Sequence, residues 1–211
     1  MVEQYISMSE EEFVKKLLGG ERDFNKICLP DGADLRRFIP ELNDYLTEQE
    51  LAKDKIVLCN SRIIRIIAPK IYIPYSNMSR VNMSGANMYG AHMSGADMSG
   101  ADMSGADMSG ANMSGADMSG ANMSGVDMTG ANMYEANMYG AHMNGAHMNG
   151  ADMYRADVSG ANMSGVDIRG TQNLGSVIGL DSVIFNNTIV TKNEMKEILK
   201  ARERLNLFDL R

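Results

Sequence analysis

A large apolar residue recurs at every fifth position from residue 78 to residue 168, without one insertion or deletion. The frame holds nineteen pentapeptides over residues 76–170, and the central residue is Met in seventeen of them, with Val158 and Ile168 as the exceptions. This period matches neither the helical repeat nor the alternation of a strand, and it excludes a coiled coil and a collagen helix. A disordered, low-complexity segment has no reason to keep Met in strict register.

The residues around each Met predict how the unit folds. Ala stands two residues before the centre in fifteen units, Asn, Asp or His lies between them, and Gly ends sixteen units. In an extended segment, residues two apart face the same side, so Ala and Met point inward and the residue between them points outward. A following Ser-Gly favours a turn. The sequence therefore predicts a solenoid of short strands and corners, with coils stacked about 4.8 Å apart. The predicted interior includes Met88, Met93, Met98, Met103, Met108, Met113, Met118 and Met123.

The unit A-(N/D)-M-(S/Y)-G resembles that of the pentapeptide-repeat family, whose pattern is A-(D/N)-(L/F)-x-x. The resemblance implies an all-β solenoid, a right-handed quadrilateral parallel β-helix with four pentapeptides per coil. The departure from the family pattern is Met at the centre, where Leu or Phe is usual. Met is unbranched and adaptable, so we expect a looser interior that is open to damage by sulfoxidation.

The repeat frame extends weakly beyond the strict block. Counting back by fives places Leu58, Ile63, Ala68 and Ile73 at the centres, and counting forward places Asn173, Ile178 and Val183 there. We therefore expect four segments. They are an N-terminal helical cap with degenerate repeats (1–55), a degenerate first coil (56–75), the strict repeats (76–170), and a decayed coil with a C-terminal capping helix (171–211).

Three capping patterns predict the helices of the flanks. Ser9 with Glu12 begins a helix that carries Phe13, Leu17 and Leu18 and ends at Gly19-Gly20. Thr47 with Glu50 predicts a second short helix over 47–52. Thr191 with Glu194 begins an amphipathic helix whose apolar stripe is Met195, Ile198, Leu199 and Leu205. Both flanks are expected to close the ends of the solenoid, and "LNLFDL" (205–210) or the N-terminal cap is a candidate dimer contact.

Composition limits the possible partners. The formal net charge is −7, which disfavours nucleic acid as a direct ligand because phosphate binding requires clustered Lys and Arg. Cys28 and Cys59 form no CxxC motif and are expected to be free thiols. The sequence shows neither a signal peptide nor an apolar run that could span a membrane, so we expect a cytoplasmic protein with no membrane partner.

With four units per coil, residues twenty apart stack into outward columns. The Asp97 column is Asn77, Asp97, Asp117, Asn137 and Asp157; the Asp107 column is Asn87, Asp107, Asp127, His147 and Asp167; the Asp102 column is Asn82, Asp102, Asn122, His142 and Asn162. The first interpretation is structural, since the family resemblance implies that these side chains support the corners. The resemblance also implies a functional alternative: some family members mimic duplex DNA and modulate DNA gyrase.

A second candidate surface lies where the repeat departs from its consensus. Tyr134-Glu135 and Tyr154-Arg155 are one coil apart, so the rings should stack and the charges should meet, with Tyr139 on the next side. Tyr and Arg are typical of protein interfaces. A ladder that fixes coil register explains the same residues equally well.

The sequence offers no constellation for chemistry. His142 and His147 project from a convex surface, whereas a metal site requires three or four converging ligands. We therefore expect no enzyme, no cofactor, no metal and no small-molecule substrate. The favoured function is a rigid scaffold for a protein partner or for a second copy, a possible homodimer. A DNA-mimic modulator of gyrase is the alternative, and an ice- or polymer-binding surface ranks last.

Overall fold

The computed structural model describes the backbone of residues 5–208 and the side chains up to residue 200. Its central feature is a parallel pairing repeated at a constant offset of twenty residues. Residue 57 pairs with residue 77, residue 62 with residue 82, and the series continues to the pairing of residues 152 and 172. Each coil therefore contains four pentapeptides, and the chain forms a parallel β-solenoid.

The unit around Met113 shows how one side is held. The Met113 amide donates to the Asn132 carbonyl (2.8 Å), and the Gly115 amide donates to the Tyr134 carbonyl (2.8 Å). At the corner, the Ala116 amide donates back to the Met113 carbonyl (3.0 Å), which closes a four-residue turn. The third residue of this turn, Gly115, has φ = 64°. A left-handed residue at this position is the requirement that places Gly at most corners.

The interior consists of the two inward residues of each unit. The Met residues of the strict block are each at most 2% exposed, and the Ala and Val residues two positions earlier are equally buried. The upstream centres Leu58, Ile63, Ala68 and Ile73 are also buried. Burial is thus continuous along the axis, because every unit buries a large residue beside a small one.

The N-terminal segment also pairs with the solenoid. Strand β1 (Ile6–Ser7) lies parallel to strand β2 (Ile27–Cys28), and Asp23, Cys28 and Asp34 form parallel bridges to residues 57, 62 and 67. Between β1 and β2, helix α1 (Glu10–Leu18) begins at Ser9, whose Oγ accepts the Glu12 amide (3.2 Å). Phe13 of α1 packs edge-on against Phe24, with ring centroids 4.7 Å apart.

The helix predicted over 47–52 is wrong. Helix α2 spans Ile39–Thr47, so Thr47 ends a helix, and its hydroxyl donates to the Asn43 carbonyl (2.6 Å). Pro40 lies in the first turn, where its missing amide costs no hydrogen bond. The helix buries Ile39, Leu42 and Leu46, and this apolar stripe decides its position.

The predicted register of the final coil is also wrong in two places. Asn173 and Ile178 were expected inside, but Asn173 is exposed with φ = 62° and Ile178 is 51% exposed; Val183 is buried as predicted. The pairing offset grows from 20 at residue 172 to 21 at residue 178 and 22 at residue 184. Extra residues, beginning at the 3-10 turn Leu174–Ser176, shift the phase, so the buried positions become Leu174, Val177 and Leu180.

Helix α3 (Lys192–Phe208) follows the last coil. Its Glu194 carboxylate accepts the Gly170 amide (2.9 Å) and the Thr191 amide (2.7 Å), which ties the start of the helix to the repeats. Ile198 is buried, whereas Met195 and Leu199 are exposed. The side chains of "LNLFDL" lie outside the described residues. Among the described helices, none has the length and apolar character needed to cross a membrane.

Candidate interaction surface

The outward Asn and Asp residues support the corners with one oxygen. Asp97 Oδ1 accepts the Ser99 amide (3.0 Å) and the Ser99 hydroxyl (2.7 Å), and Asn82 Oδ1 accepts the same two groups of Ser84 (3.1 and 2.9 Å). Asn and Asp therefore make the same local bond at the corner, and they differ in charge and in the amide donor that Asn adds. The structural interpretation of these residues explains their recurrence.

The structure places the predicted acidic residues in their columns. Asp97 bridges Asp117, and Asp107 bridges Asp127; Asp157 follows Asn137 and Asp167 follows His147. Elsewhere an amide separates the charges, since Asn137 Nδ2 donates to Asp117 Oδ1 (3.1 Å). Residues 81–150 contain six acidic residues and no Lys or Arg. We call this stretch the acidic shaft.

The two tyrosine units meet as a compact group, here called the Glu135–Arg155 corner (Tyr134, Glu135, Tyr154 and Arg155). The Tyr134 and Tyr154 rings stack with centroids 5.2 Å apart and planes 14° apart, and they are 42% and 39% exposed. Arg155 Nη1 lies 3.0 Å from Glu135 Oε1. The Glu135 charge raises the pKa of Tyr134.

At this corner the left-handed backbone position is occupied by charged residues instead of Gly, as it also is at Arg80. Glu135 and Arg155 each have φ = 54°, at the position where sixteen of the nineteen units have Gly. A left-handed conformation costs a non-glycine residue about 1–2 kcal/mol. An exposed ion pair stabilises the folded state by at most about 1 kcal/mol. The pair of strained residues is therefore not explained by their salt bridge alone.

Tyr139 does not join this stack. It belongs to the following side of the same coil, is 61% exposed, and its amide donates to Asn137 Oδ1 (3.0 Å). The candidate patch thus divides into the Glu135–Arg155 corner and a separate exposed ring beside the Asp97 column.

A cleft beside Tyr154 was not predicted from the sequence. It has a volume of about 330 Å³ and is lined by Tyr154, Asn173, Gly175, Ser176, Glu197 and Lys200. It forms where the 3-10 turn leaves the regular corner and α3 passes beside it. The Arg155 amide donates to Ser176 Oγ (3.0 Å), where a regular unit would use a carbonyl. The only sequence signal was the loss of the five-residue period after residue 170.

Asp167 is the most buried acid of the predicted columns. Arg169 Nε and Nη2 donate to its two carboxylate oxygens (2.9 and 2.6 Å), and this fork lowers the pKa of Asp167 well below its usual range. The Asn149 amide and the Arg169 backbone amide act in the same direction. Asp167 is therefore an internally paired anion and contributes little to any acidic surface.

His142 and His147 occupy their expected columns, bridged to Asn162 and Asp167 respectively. Within the part of the chain that the structure describes, no three His, Cys, Asp or Glu side chains converge as a metal site. Cys28 and Cys59 are both free thiols.

The family model for pentapeptide repeats matches the chain in three overlapping stretches, residues 76–115, 106–145 and 131–170. These cover the whole strict block. The chain belongs to the pentapeptide-repeat family. No protein of curated function matches the sequence. Within the pentapeptide repeats of this chain, Met takes the central position that the family pattern gives to Leu or Phe.

Several solved pentapeptide-repeat proteins resemble the chain. HetL from Nostoc sp. strain PCC 7120, involved in heterocyst differentiation regulation, is 18% identical over 86% of this chain and 94% of its own, with a TM-score of 0.37. QnrB1, a plasmid-mediated fluoroquinolone resistance protein, is 16% identical over 87% and 82%, with a TM-score of 0.42. Rfr23 from Cyanothece 51142 is 20% identical over 72% and 95%, with a TM-score of 0.24.

Proposed function

We propose that this pentapeptide-repeat protein is a rigid, non-catalytic scaffold that binds a protein partner or a second copy through the Glu135–Arg155 corner. The observation that carries the proposal is the combination of two exposed, stacked tyrosines with an adjacent pair of opposite charges, on a surface made mostly of small polar side chains. Aromatic residues and Arg are the side chains most enriched at protein interfaces. The cleft beside Tyr154 gives the corner a concave neighbour that a partner side chain can enter.

The proposal includes the architecture that the family implies. We take the coil to be right-handed and quadrilateral, with α1 and α3 as caps on its two ends. The burial of Phe13 and Leu17 in α1 and of Ile198 in α3 supports this role. An open solenoid end would expose apolar interior and unpaired strand edges.

The experiment replaces Tyr134 and Tyr154 with Ser, the usual residue at this position of the repeat. The matched control is Tyr89→Ser, which makes the same change at an exposed tyrosine in another coil. Immobilised full-length protein should retain a partner that mass spectrometry identifies, and the double variant should lose it while the control keeps it. Equal retention by all three proteins would refute the role of this corner.

The acidic shaft favours a second candidate, a DNA-mimic modulator of DNA gyrase. Its six acidic residues and the absence of Lys and Arg give residues 81–150 a negative net charge. Replacing Asp97 and Asp117 of the shaft, and Asp157 further along the same column, with Asn removes three charges and leaves an oxygen for each corner bond. Inhibition of gyrase supercoiling that weakens in the triple variant would support mimicry; no inhibition by the parent protein at tens of micromolar would reject it.

A further inference from the structure

We propose that the partner at the Glu135–Arg155 corner is a second copy of this chain, docked antiparallel about a two-fold axis. The inference rests on the proposed scaffold function and names its partner. It follows from two features of the corner: its charge order along the solenoid axis, and the single acidic residue in the column that leads to it.

The charge order makes the corner self-complementary. Glu135 and Arg155 follow each other along the axis, one coil apart. A two-fold axis between these coils, perpendicular to the solenoid, exchanges their positions in the second copy. Glu135 of each copy then faces Arg155 of the other, and the Tyr134 ring of each copy lies opposite Tyr154. Closed dimers require the same patch on both subunits to match itself in this way.

The distribution of charge restricts where two copies can approach. Each copy carries a formal net charge of −7, and the Asp97 and Asp107 columns each hold three Asp residues. Close contact between two such columns would place like charges together. The column that leads to the corner is Tyr72, His92, Asn112, Asn132, Asp152 and Gln172, with one acidic residue. The Asp102 column likewise holds one acidic residue, so low acidity alone does not choose between these two faces; only the face that leads to the corner also carries the Glu135–Arg155 pair.

A second copy also gives the two charged residues further partners, although a left-handed non-glycine corner is shared with residues such as Asn60 and Arg80. Glu135 and Arg155 replace Gly at successive corners of one column, and both adopt the left-handed conformation. The free energy of their exposed ion pair is smaller than the conformational cost of the two residues. In the dimer each charge gains a second partner. The two ion pairs become a ring of four alternating charges between two pairs of stacked rings.

Sedimentation velocity of the full chain, from about 5 to about 500 μM, measures the dimer directly. The parent should show a concentration-dependent dimer that weakens with salt. Glu135→Arg places like charges opposite each other and should raise Kd by roughly tenfold or more. Glu135→Arg with Arg155→Glu reverses both charges and should restore the parent Kd. Tyr139→Ser, at an exposed ring outside the corner, should leave Kd unchanged.

A distance measurement tests the antiparallel geometry. A spin label on Ser94→Cys, with Cys28 and Cys59 replaced by Ser, lies two and a half coils from the proposed axis. Two labels in the dimer should then be separated by five coils, roughly 24 Å at about 4.8 Å per coil.

Three outcomes would overturn the inference: a monomer at every concentration, a dimer that Glu135→Arg does not weaken, or a double reversal that does not restore it. Capture of a different protein through Tyr134 and Tyr154 by a monomeric chain would also overturn it, and would leave the scaffold function standing. If neither self-association nor capture depends on the corner, the scaffold function fails with it.

Discussion

Replacing Met113 with Asp tests the inward placement of the repeat centre. Met113 is fully buried, with its backbone held by Asn132 and its neighbours Ala111 and Ala116 also buried. Loss of the Met side chain from such a site costs about 2–5 kcal/mol. An unpartnered carboxyl group adds roughly 2–7 kcal/mol even when protonated. Together these losses rival the whole stability of a domain, about 5–15 kcal/mol.

The matched control is Asn112→Asp, which introduces the same charge one residue away on the outward position. Asp occupies that position in eight other units of the strict block, where its Oδ1 supports the corner, so we expect little change in stability. Thermal unfolding followed by circular dichroism compares the two variants. Met113→Asp should be unfolded or melt far below the parent, whereas Asn112→Asp should melt near it. If Met113→Asp melts within about 5 °C of the parent, the inward Met assignment is refuted.

Two further predictions concern a corner and an ion pair. Gly95→Ala should lower the free energy of unfolding in urea more than Gly105→Ala does, because a Cβ at Gly95 would lie 2.6 Å from the Tyr75 ring whereas none of the described atoms crowds Gly105. Both variants also lose about 1 kcal/mol or more from the left-handed backbone. Tyr75→Ala should remove the difference between them. Arg169→Met should lower the free energy of unfolding above about pH 5, and its difference from the parent should shrink towards pH 2. The reason is that Asp167, with a lowered folded pKa, stabilises the fold above its unfolded pKa and loses this contribution as it protonates. A difference that stays constant across this pH range would contradict the assignment.

The regular part of the fold was predictable because a single period carries all the necessary information. The spacing of Ala, Met and Gly set which side chains face inward, and the twenty-residue stack then placed Tyr134 over Tyr154 and Asp97 beside Asp117. No long-range contact had to be guessed, since each coil pairs only with its neighbours.

The flanks were less predictable because their structure depends on packing as well as on local pattern. The capping pattern at Thr47 predicted a helix that begins there, but Thr47 is the last residue of α2. The position of α2 follows from its apolar stripe, because the helix buries Ile39, Leu42 and Leu46. In the final coil, the extra residues turned Ile178 outward and formed the cleft beside Tyr154. Extra residues that shift the register of a repeat do not change the amino-acid composition, so composition could not predict this change.

Because Asn and Asp support the corners equally well, the surface charge of this rod can change without a change in its fold. Both residues offer the same oxygen to the same amide, as Asn82 and Asp102 do on successive coils. Their codons differ by a single nucleotide, so one mutation at any such position exchanges a neutral side for an anionic one while the corner bond is kept. A solenoid built in this way can therefore change its surface charge pattern for a new partner at one side of the coil at a time, while the fold stays the same.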